Sequence, residues 1–343
     1  MCAMQTPPLP TWLLYCRPGF ESDCAQETQA KLIEVQSDSG FIVVQGKSRL
    51  AYAQLVFARQ LMRLLGEVSS LPERDRLTPL LAALSAQPER YGAVWLEVPD
   101  TNEGKEQSRF TRNFQPLLEA ALIEAGRLVN DPTLPRLHIF FADKSRALIG
   151  SSDVQNSAPW PMGILRQKMP HDAPSRSYLK LAEAFATFLS EPEQKKWLTP
   201  GMHAVDLGAA PGGWAWQLVQ RGLKVTAVDN GPMKGAAATH PAIQHLRQDG
   251  FRYRPKKPVD WVVCDMVEQP ARVAALMADW VASGIAARAI FNLKLPMKKR
   301  VAALTDALGL IRNVMDAQRL RYRLQARQLY HDREEVTVFL TRL

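Results

Sequence analysis

Along the first part of the chain, short apolar runs alternate with segments whose apolar residues recur every three or four positions. The runs Thr11–Cys16, Phe41–Gln45, Ala93–Val98 and Leu137–Phe141 predict strands, and Glu21–Ile33, Ala53–Leu65, Leu77–Ala86 and Phe114–Leu128 predict helices. Two small α+β units, 1–50 and 51–151, accommodate these elements. Residues 152–174 carry four prolines among Ser, Asn and Asp without any period, which predicts a linker over the surface. An amphipathic helix, Ser177–Leu189, then opens a domain spanning 175–343. There the β-like runs HAVDLG, KVTAVD, VDWVVCDM, ARAIFNLKL and EVTVFLTRL alternate with helical stretches. The alternation predicts an α/β fold with a doubly wound, mostly parallel sheet and ligand chemistry at the carboxyl ends of its strands. The direction of the strand after the helix Val301–Leu310 is left open.

The first strand of that domain ends in Asp206-Leu207-Gly208-Ala209-Ala210-Pro211-Gly212-Gly213-Trp214 and passes straight into a helix. Small residues let the backbone approach a ligand closely, and Pro211 fixes the turn. The next strand, Lys224–Val228, ends in Asp229, 23 residues after Asp206. An acid at that place and distance suits the two hydroxyls of an adenosine ribose. A dinucleotide fold wants G-x-G-x-x-G for its pyrophosphate, whereas this loop reads G-x-x-x-G-G with proline inside. S-adenosylmethionine is therefore the expected cofactor, with NAD or FAD and a purely structural turn as the alternatives. Asp249, beyond the strand-like Ile243–Leu246, either reaches the adenine amino group or caps its own turn.

Four further residues stand at strand ends or close to them. Asp265 closes Trp261–Cys264, Lys294 closes Ala289–Leu293, Glu335 opens Val336–Leu340, and Lys180 lies on the helix leading into the domain. A doubly wound sheet gathers such ends at one face. A lysine of ordinary pKa, about 10.4, cannot take a proton at neutral pH, but a second ammonium beside it lowers that value. With Asp265 and Glu335 orienting the two amines, Lys294 becomes the candidate general base for a poorly nucleophilic hydroxyl. Taken singly, each of the four also reads as a solvated charge.

Composition adds a direction. The 343 residues carry a net charge of +9, and residues 247–343 hold 18 Lys/Arg against 10 Asp/Glu while residues 1–246 hold 25 against 24. The basic excess peaks at Arg252, Arg254, Lys256 and Lys257, at Lys298, Lys299 and Arg300, and at Arg319, Arg321, Arg323 and Arg327. Such a field suits a nucleic acid or a merely solvated face. Cys2, Cys16, Cys24 and Cys264 are too dispersed for a CxxC site, and the six histidines make no metal-ligand spacing. No apolar run of roughly 18 residues and no signal-peptide order occurs. A cytoplasmic monomer with no metal, no membrane contact and no obligate protein partner is the expectation.

The segments SRSYLKL (175–181), VDLGAAPGGWAWQL (205–218), VVCDM (262–266), FNLKLP (291–296) and REEVTVFL (333–340) resemble, in order, the FtsJ-like ribose 2′-O-methyltransferases with their K-D-K-E tetrad. LYCRPGFESDCAQE (14–27), joined to a long pre-catalytic region, is similar to one branch, the bacterial 23S rRNA cytidine 2′-O-ribose methyltransferases with a THUMP domain. The resemblance implies a Rossmann-like methyltransferase domain with Lys180, Asp265, Lys294 and Glu335 as the tetrad. It also implies cofactor contacts from Ser177, Ala210, Pro211, Gly212, Gly213, Asp229, Asp249 and Asp265. Glu334 competes with Glu335 for the last tetrad place, and Glu335 is favoured because it directly precedes the Val-x-Val strand. The implied partner is 23S rRNA, bound by a THUMP-like region at 51–151 for which Arg109, Arg112, Lys144 and Arg146 are the basic candidates.

Two rivals, a base methyltransferase and a nonenzymatic RNA-binding protein, lack support in these residues. Amino-group methylation favours D/N-P-P-Y/F where this chain reads Asp265-Met266-Val267-Glu268, and cytosine C5 methylation needs a Pro-Cys nucleophile, whereas Cys264 follows Val263. A nonenzymatic RNA-binding protein on a relic fold would be favoured by loss of a tetrad lysine, yet both lysines are present.

Overall fold

The computed structural model describes residues 9–46, 49–85 and 89–343, and Cys2 and the expected helix end at Ala86 lie outside them. The chain divides into two compact units, residues 1–165 and 166–343. No described helix is long and apolar enough to cross a membrane.

The first unit runs β1 (Thr11–Tyr15), α1 (Glu21–Thr28), β2 (Lys31–Val35), β3 (Phe41–Gln45), β4 (Gln60–Val68), α2 (Leu77–Ser85), β5 (Ala93–Glu97), α3 (Asn102–Glu124), β6 (Arg136–Phe141) and β7 (Ala147–Ser152). Its seven strands make one sheet in the order β2-β3-β1-β4-β7-β6-β5, antiparallel except for the parallel pair β5 and β6. The helix expected at Ala53–Leu65 is replaced by β4. Its backbone pairs with β1 on one side and β7 on the other, and two full ladders outweigh a helical repeat that the same apolar residues also fit. Because β4 bridges them, the stretches before and after residue 50 share a single sheet.

The helix expected over Glu21–Ile33 stops at Thr28. Gln29 adopts a left-handed φ of 53°, and Lys31–Val35 is released to pair with β3. Nor does the stretch after β7 run free over the surface at first. Ala158 and Ile164 are buried, Gln60 Oε1 accepts from Ala158 N at 2.9 Å, and the buried Glu97 accepts from Met162 N at 2.5 Å and from Tyr15 Oη at 2.6 Å.

The second unit comprises α4 (Ser177–Phe188), α5 (Glu191–Trp197), β8 (His203–Leu207), α6 (Gly213–Val219), β9 (Lys224–Val228), α7 (Ala236–Thr239), β10 (Ile243–Leu246), β11 (Val259–Cys264), α8 (Pro270–Ala282), β12 (Ala286–Lys294), α9 (Arg300–Ala317), β13 (Tyr322–Arg327) and β14 (Glu335–Arg342). Sheet order is β10-β9-β8-β11-β12-β14-β13. The first five strands are parallel, while β14 runs antiparallel to both β12 and β13. The strand order reverses beside β8, between β8 and β11, which is where a doubly wound sheet opens a crevice for ligands. Beneath it, Phe185 meets Trp261 edge-on at 5.6 Å, and the Trp261 indole N–H donates to Trp197 O at 2.6 Å. Aromatic burial of this kind, about 150–250 Å² per ring, fixes α4 against the sheet.

Candidate active site

The loop after β8 is shaped by glycines that no other residue could replace without movement. Gly208 has φ +76°, and a Cβ there would lie 2.6 Å from Met266 Cγ. Gly212 has φ +112°, and a Cβ on Gly213 would lie 2.1 Å from Ser177 Oγ and 2.9 Å from Tyr178 N. The loop is thereby clamped between α4 and the β11 end, with Ala210-Pro211 in cis. Asp229, at the end of β9, accepts from Ala210 N at 2.9 Å through one carboxylate oxygen and from Gly231 N at 2.7 Å through the other. Each oxygen keeps a lone pair for a ligand hydroxyl. Asp249 caps its own turn through Oδ1, which accepts from Phe251 N at 2.8 Å, and its carboxylate also lines the cavity beside the loop.

A cavity of about 350 Å³ joins these parts, with Ala210, Asp229, Asp249 and Asp265 among its walls. Ser177 and Gly213 pack on each other behind the loop, and neither they nor Pro211 and Gly212 line that cavity. Its lining holds four acids, the fourth being Glu268, and among the described residues that line it there is no Lys or Arg. A pyrophosphate would be repelled there. These acceptors fit a ligand that brings hydroxyls, an amino group and a positive charge, as S-adenosylmethionine does with its ribose, adenine and sulfonium.

Next to this cavity the four expected polar residues converge. Lys294 Nζ donates to Asp265 Oδ1 and lies 3.6 Å from Glu335 Oε2. Lys180 Nζ donates to Glu335 Oε1 and lies 3.9 Å from Asp265 Oδ2. The result is a closed ring of alternating sign in which each amine touches both carboxylates. Burial disfavours the Lys180 ammonium, but the charges of Asp265 and Glu335 outweigh it and hold the proton more firmly than in an ordinary lysine. Glu334 lies elsewhere. It is half exposed and takes Arg300 at 2.9 Å, so the geometry separates the two neighbouring glutamates.

Several residues of the surroundings were not singled out from sequence. Glu183, one turn beyond Lys180, is buried and accepts from Tyr330 N at 2.8 Å and from His331 N at 3.1 Å, tying α4 to the turn before β14. Asn292 donates to Asp265 at 2.9 Å, and Thr337 lies 2.7 Å from Asn292 Oδ1. The available signal was a polar residue inside an otherwise apolar strand, Phe-Asn-Leu and Val-Thr-Val, where both sheet faces are covered.

Among the basic candidates of the first unit, Arg146 is engaged internally, at 2.6 Å from Glu34 and 2.8 Å from Glu67. Arg109, Arg112 and Lys144 are exposed. Among the described residues no cluster of His, Cys, Asp and Glu could hold a metal ion.

A doubly wound sheet with this glycine-shaped loop and acidic crevice at its carboxyl edge defines an α/β methyltransferase. The match to the FtsJ-like methyltransferase model over residues 173–300 agrees with that class. Two further models match the first unit, the RlmM ferredoxin-like domain over 9–62 and the N-terminal model of ribosomal RNA large subunit methyltransferase M over 75–153. The chain is 56% identical over 342 residues to ribosomal RNA large subunit methyltransferase M of Laribacter hongkongensis, covering 96% of each. It is 50% identical to the protein of the same description from Methylococcus capsulatus, over 96% of this chain and 97% of that one, and 47% identical to that of Pseudomonas aeruginosa, over 97% and 99%. The chain belongs to the ribosomal RNA large subunit methyltransferase M family.

Proposed function

We propose that this protein transfers a methyl group from S-adenosylmethionine to the 2′-hydroxyl of a cytidine in 23S rRNA, in the cytoplasm, with Lys294 as proton acceptor. The observation that carries the reading is the ring of Lys180, Asp265, Lys294 and Glu335 beside an acidic cavity. The cofactor supplies a methyl group activated by its sulfonium. Asp229 would accept from the ribose hydroxyls and Asp249 from the adenine amino group, with Ser177, Ala210, Pro211, Gly212, Gly213 and Asp265 shaping and closing the rest of the seat.

A ribose hydroxyl needs its proton removed as its oxygen meets the methyl carbon in line. Lys294 acts as the neutral amine, after releasing its ammonium proton to solvent, and its Nζ lone pair takes the hydroxyl proton as the ribose oxygen bonds to the methyl carbon, for which the cofactor's sulfonium would supply the leaving group. Asp265 holds that amine in place, and the Lys180 ammonium, whose proton the two carboxylates hold, balances their charge. Target capture is assigned largely to the first unit, including the THUMP-like region at 51–151. The test is transfer of labelled methyl to 23S rRNA from cells lacking this protein, followed by mapping of the label. Label on a cytidine 2′-oxygen supports the reading, and label on a base overturns it.

A further inference from the structure

Behind the ring lies a second polar group, wholly buried, that the methyl-transfer chemistry does not itself use. Asp332, Thr337 and Asn292 are each 0% exposed, so no bulk water can complete their hydrogen bonds. Thr337 Oγ1 lies 2.7 Å from Asn292 Oδ1 and 2.9 Å from Asp332 Oδ2. Leu329 N donates to the same Asp332 oxygen at 2.9 Å. At the other end, Asn292 Nδ2 donates at 2.9 Å to Asp265 Oδ1, the oxygen that also receives the Lys294 amine.

Along Asp265, Asn292 and Thr337 the proton inventory allows one direction. Asn292 must present its NH2 to the Asp265 carboxylate, since its amide oxygen there would set acceptor against acceptor. Its oxygen therefore faces Thr337 and takes the single hydroxyl proton of that residue. Thr337 then has only lone pairs to offer Asp332, so the contact between them needs a proton from Asp332. Were Asp332 ionised, the threonine proton would turn to it, and Asn292 Oδ1 would face an oxygen lone pair at 2.7 Å in a buried site.

We propose that Asp332, as a neutral acid, starts a one-way hydrogen-bonded chain through Thr337 and Asn292 that fixes the Asp265 carboxylate and, through it, the amine of Lys294. These three are positioning residues, and the inference rests on the catalytic roles given above to Asp265 and Lys294. Independently of the proton inventory, burial pushes the Asp332 carboxyl well above the ordinary aspartate range, and the neighbouring charges of Glu335 and Glu183 add to this against the opposing pull of the Leu329 N–H and Lys180. Asn292 acts on the oxygen shared with Lys294, so without it that carboxylate is held only by the two flexible amines it is there to orient. The proton acceptor would then lose its aim without losing its charge.

The test uses the full chain, single-turnover methyl transfer to 23S rRNA, calorimetry with S-adenosylmethionine and a thermal melt. Thr337→Val keeps the shape and removes both hydrogen bonds; the rate should fall about 10- to 100-fold, as for misplacement of a reacting group, with unchanged cofactor affinity. Thr337→Ser restores the hydroxyl and should recover most of the rate. Asp332→Asn can set its NH2 at the Oδ1 place, 3.2 Å from Thr337 Oγ1, and leave its carbonyl oxygen to accept from Leu329 N, so it should stay far more active than Asp332→Ala. The infrared band of a protonated carboxyl should be present in the wild type and missing in Asp332→Asn.

A Thr337→Val protein at wild-type rate overturns the chain, as does an Asp332→Asn protein no better than Asp332→Ala. If Thr337→Val does not fold, the infrared comparison decides, and spectra without a difference mean that Asp332 is ionised and the chain is wrong. Failure of the underlying reading looks different, because Lys294→Ala would then transfer methyl normally.

Discussion

Lys294 and Glu335 are opposed partners in the antiparallel register of β12 and β14, and their side chains stay within 3.6 Å. Directly paired residues on neighbouring strands sit about 4.5–5.5 Å apart at the backbone, so this contact is fixed by the sheet itself. The other carboxylate oxygen of Glu335 takes Lys180 from α4. One carboxylate thus joins a helix to two strands and holds both amines at the open edge.

That bridge makes the two adjacent glutamates separable by experiment. Glu335→Gln should slow single-turnover transfer by about 10²-fold or more, the range expected for a misplaced reacting group. Glu334→Gln should remain close to the wild-type rate, because Glu334 meets Arg300 at the surface, where an ion pair contributes about 0–1 kcal/mol. The reverse order of effects would reassign the fourth member of the ring.

Asp229→Ala should weaken S-adenosylmethionine binding at least about tenfold, since hydrogen bonds to a charged group contribute about 1.5–3 kcal/mol each. The same carboxylate receives Ala210 N and Gly231 N, so the loop itself should also loosen. Calorimetry gives the affinity, and the stabilisation of the thermal melt by excess cofactor gives the same quantity by another route. An unchanged affinity removes Asp229 from the cofactor site.

Lys298 and Lys299 are exposed on the segment that leaves Lys294, and two adjacent cations beside the proposed reaction centre suit contact with RNA phosphates. Replacing both by Glu should weaken rRNA binding while leaving cofactor affinity alone. The slope of log affinity against log salt should become shallower by about 0.7–0.9 for each phosphate that is no longer neutralised. A salt slope identical to wild type would place the RNA path elsewhere.

What the sequence revealed and what it hid divide along physical lines. Asp265, Lys294 and Glu335 were legible because an apolar run ending in a charge marks where a strand leaves the core. The convergence of strand ends then follows from sheet topology. β4 reads as a helix because its apolar positions, Leu61, Met62, Leu64 and Leu65, satisfy a helical repeat as well as a strand. Only the long-range partners β1 and β7 choose between the two. Asn292 and Thr337 show in the sequence only as polar breaks in apolar strands, and their role is hidden for a related reason: a lone polar residue in a buried strand acquires meaning from a partner on another strand, here 45 residues away.

Lys294, the proposed proton acceptor, gives the sharpest prediction. Lys294→Ala should reduce single-turnover transfer by about 10²- to 10⁴-fold, the usual contribution of a positioned general base. Cofactor and RNA affinities should hardly change, because the amine acts mainly in the transition state. Lys294→Arg distinguishes proton transfer from simple electrostatics. The guanidinium restores a positive charge between Asp265 and Glu335, yet it cannot be deprotonated in a protein. If Lys294 takes the hydroxyl proton, the arginine variant should be nearly as slow as the alanine variant while melting at a temperature closer to wild type, since the two carboxylates keep a cation between them. If the arginine variant retains most of the single-turnover rate, the proton leaves by another route and Lys294 serves only to hold charge and geometry at the ring.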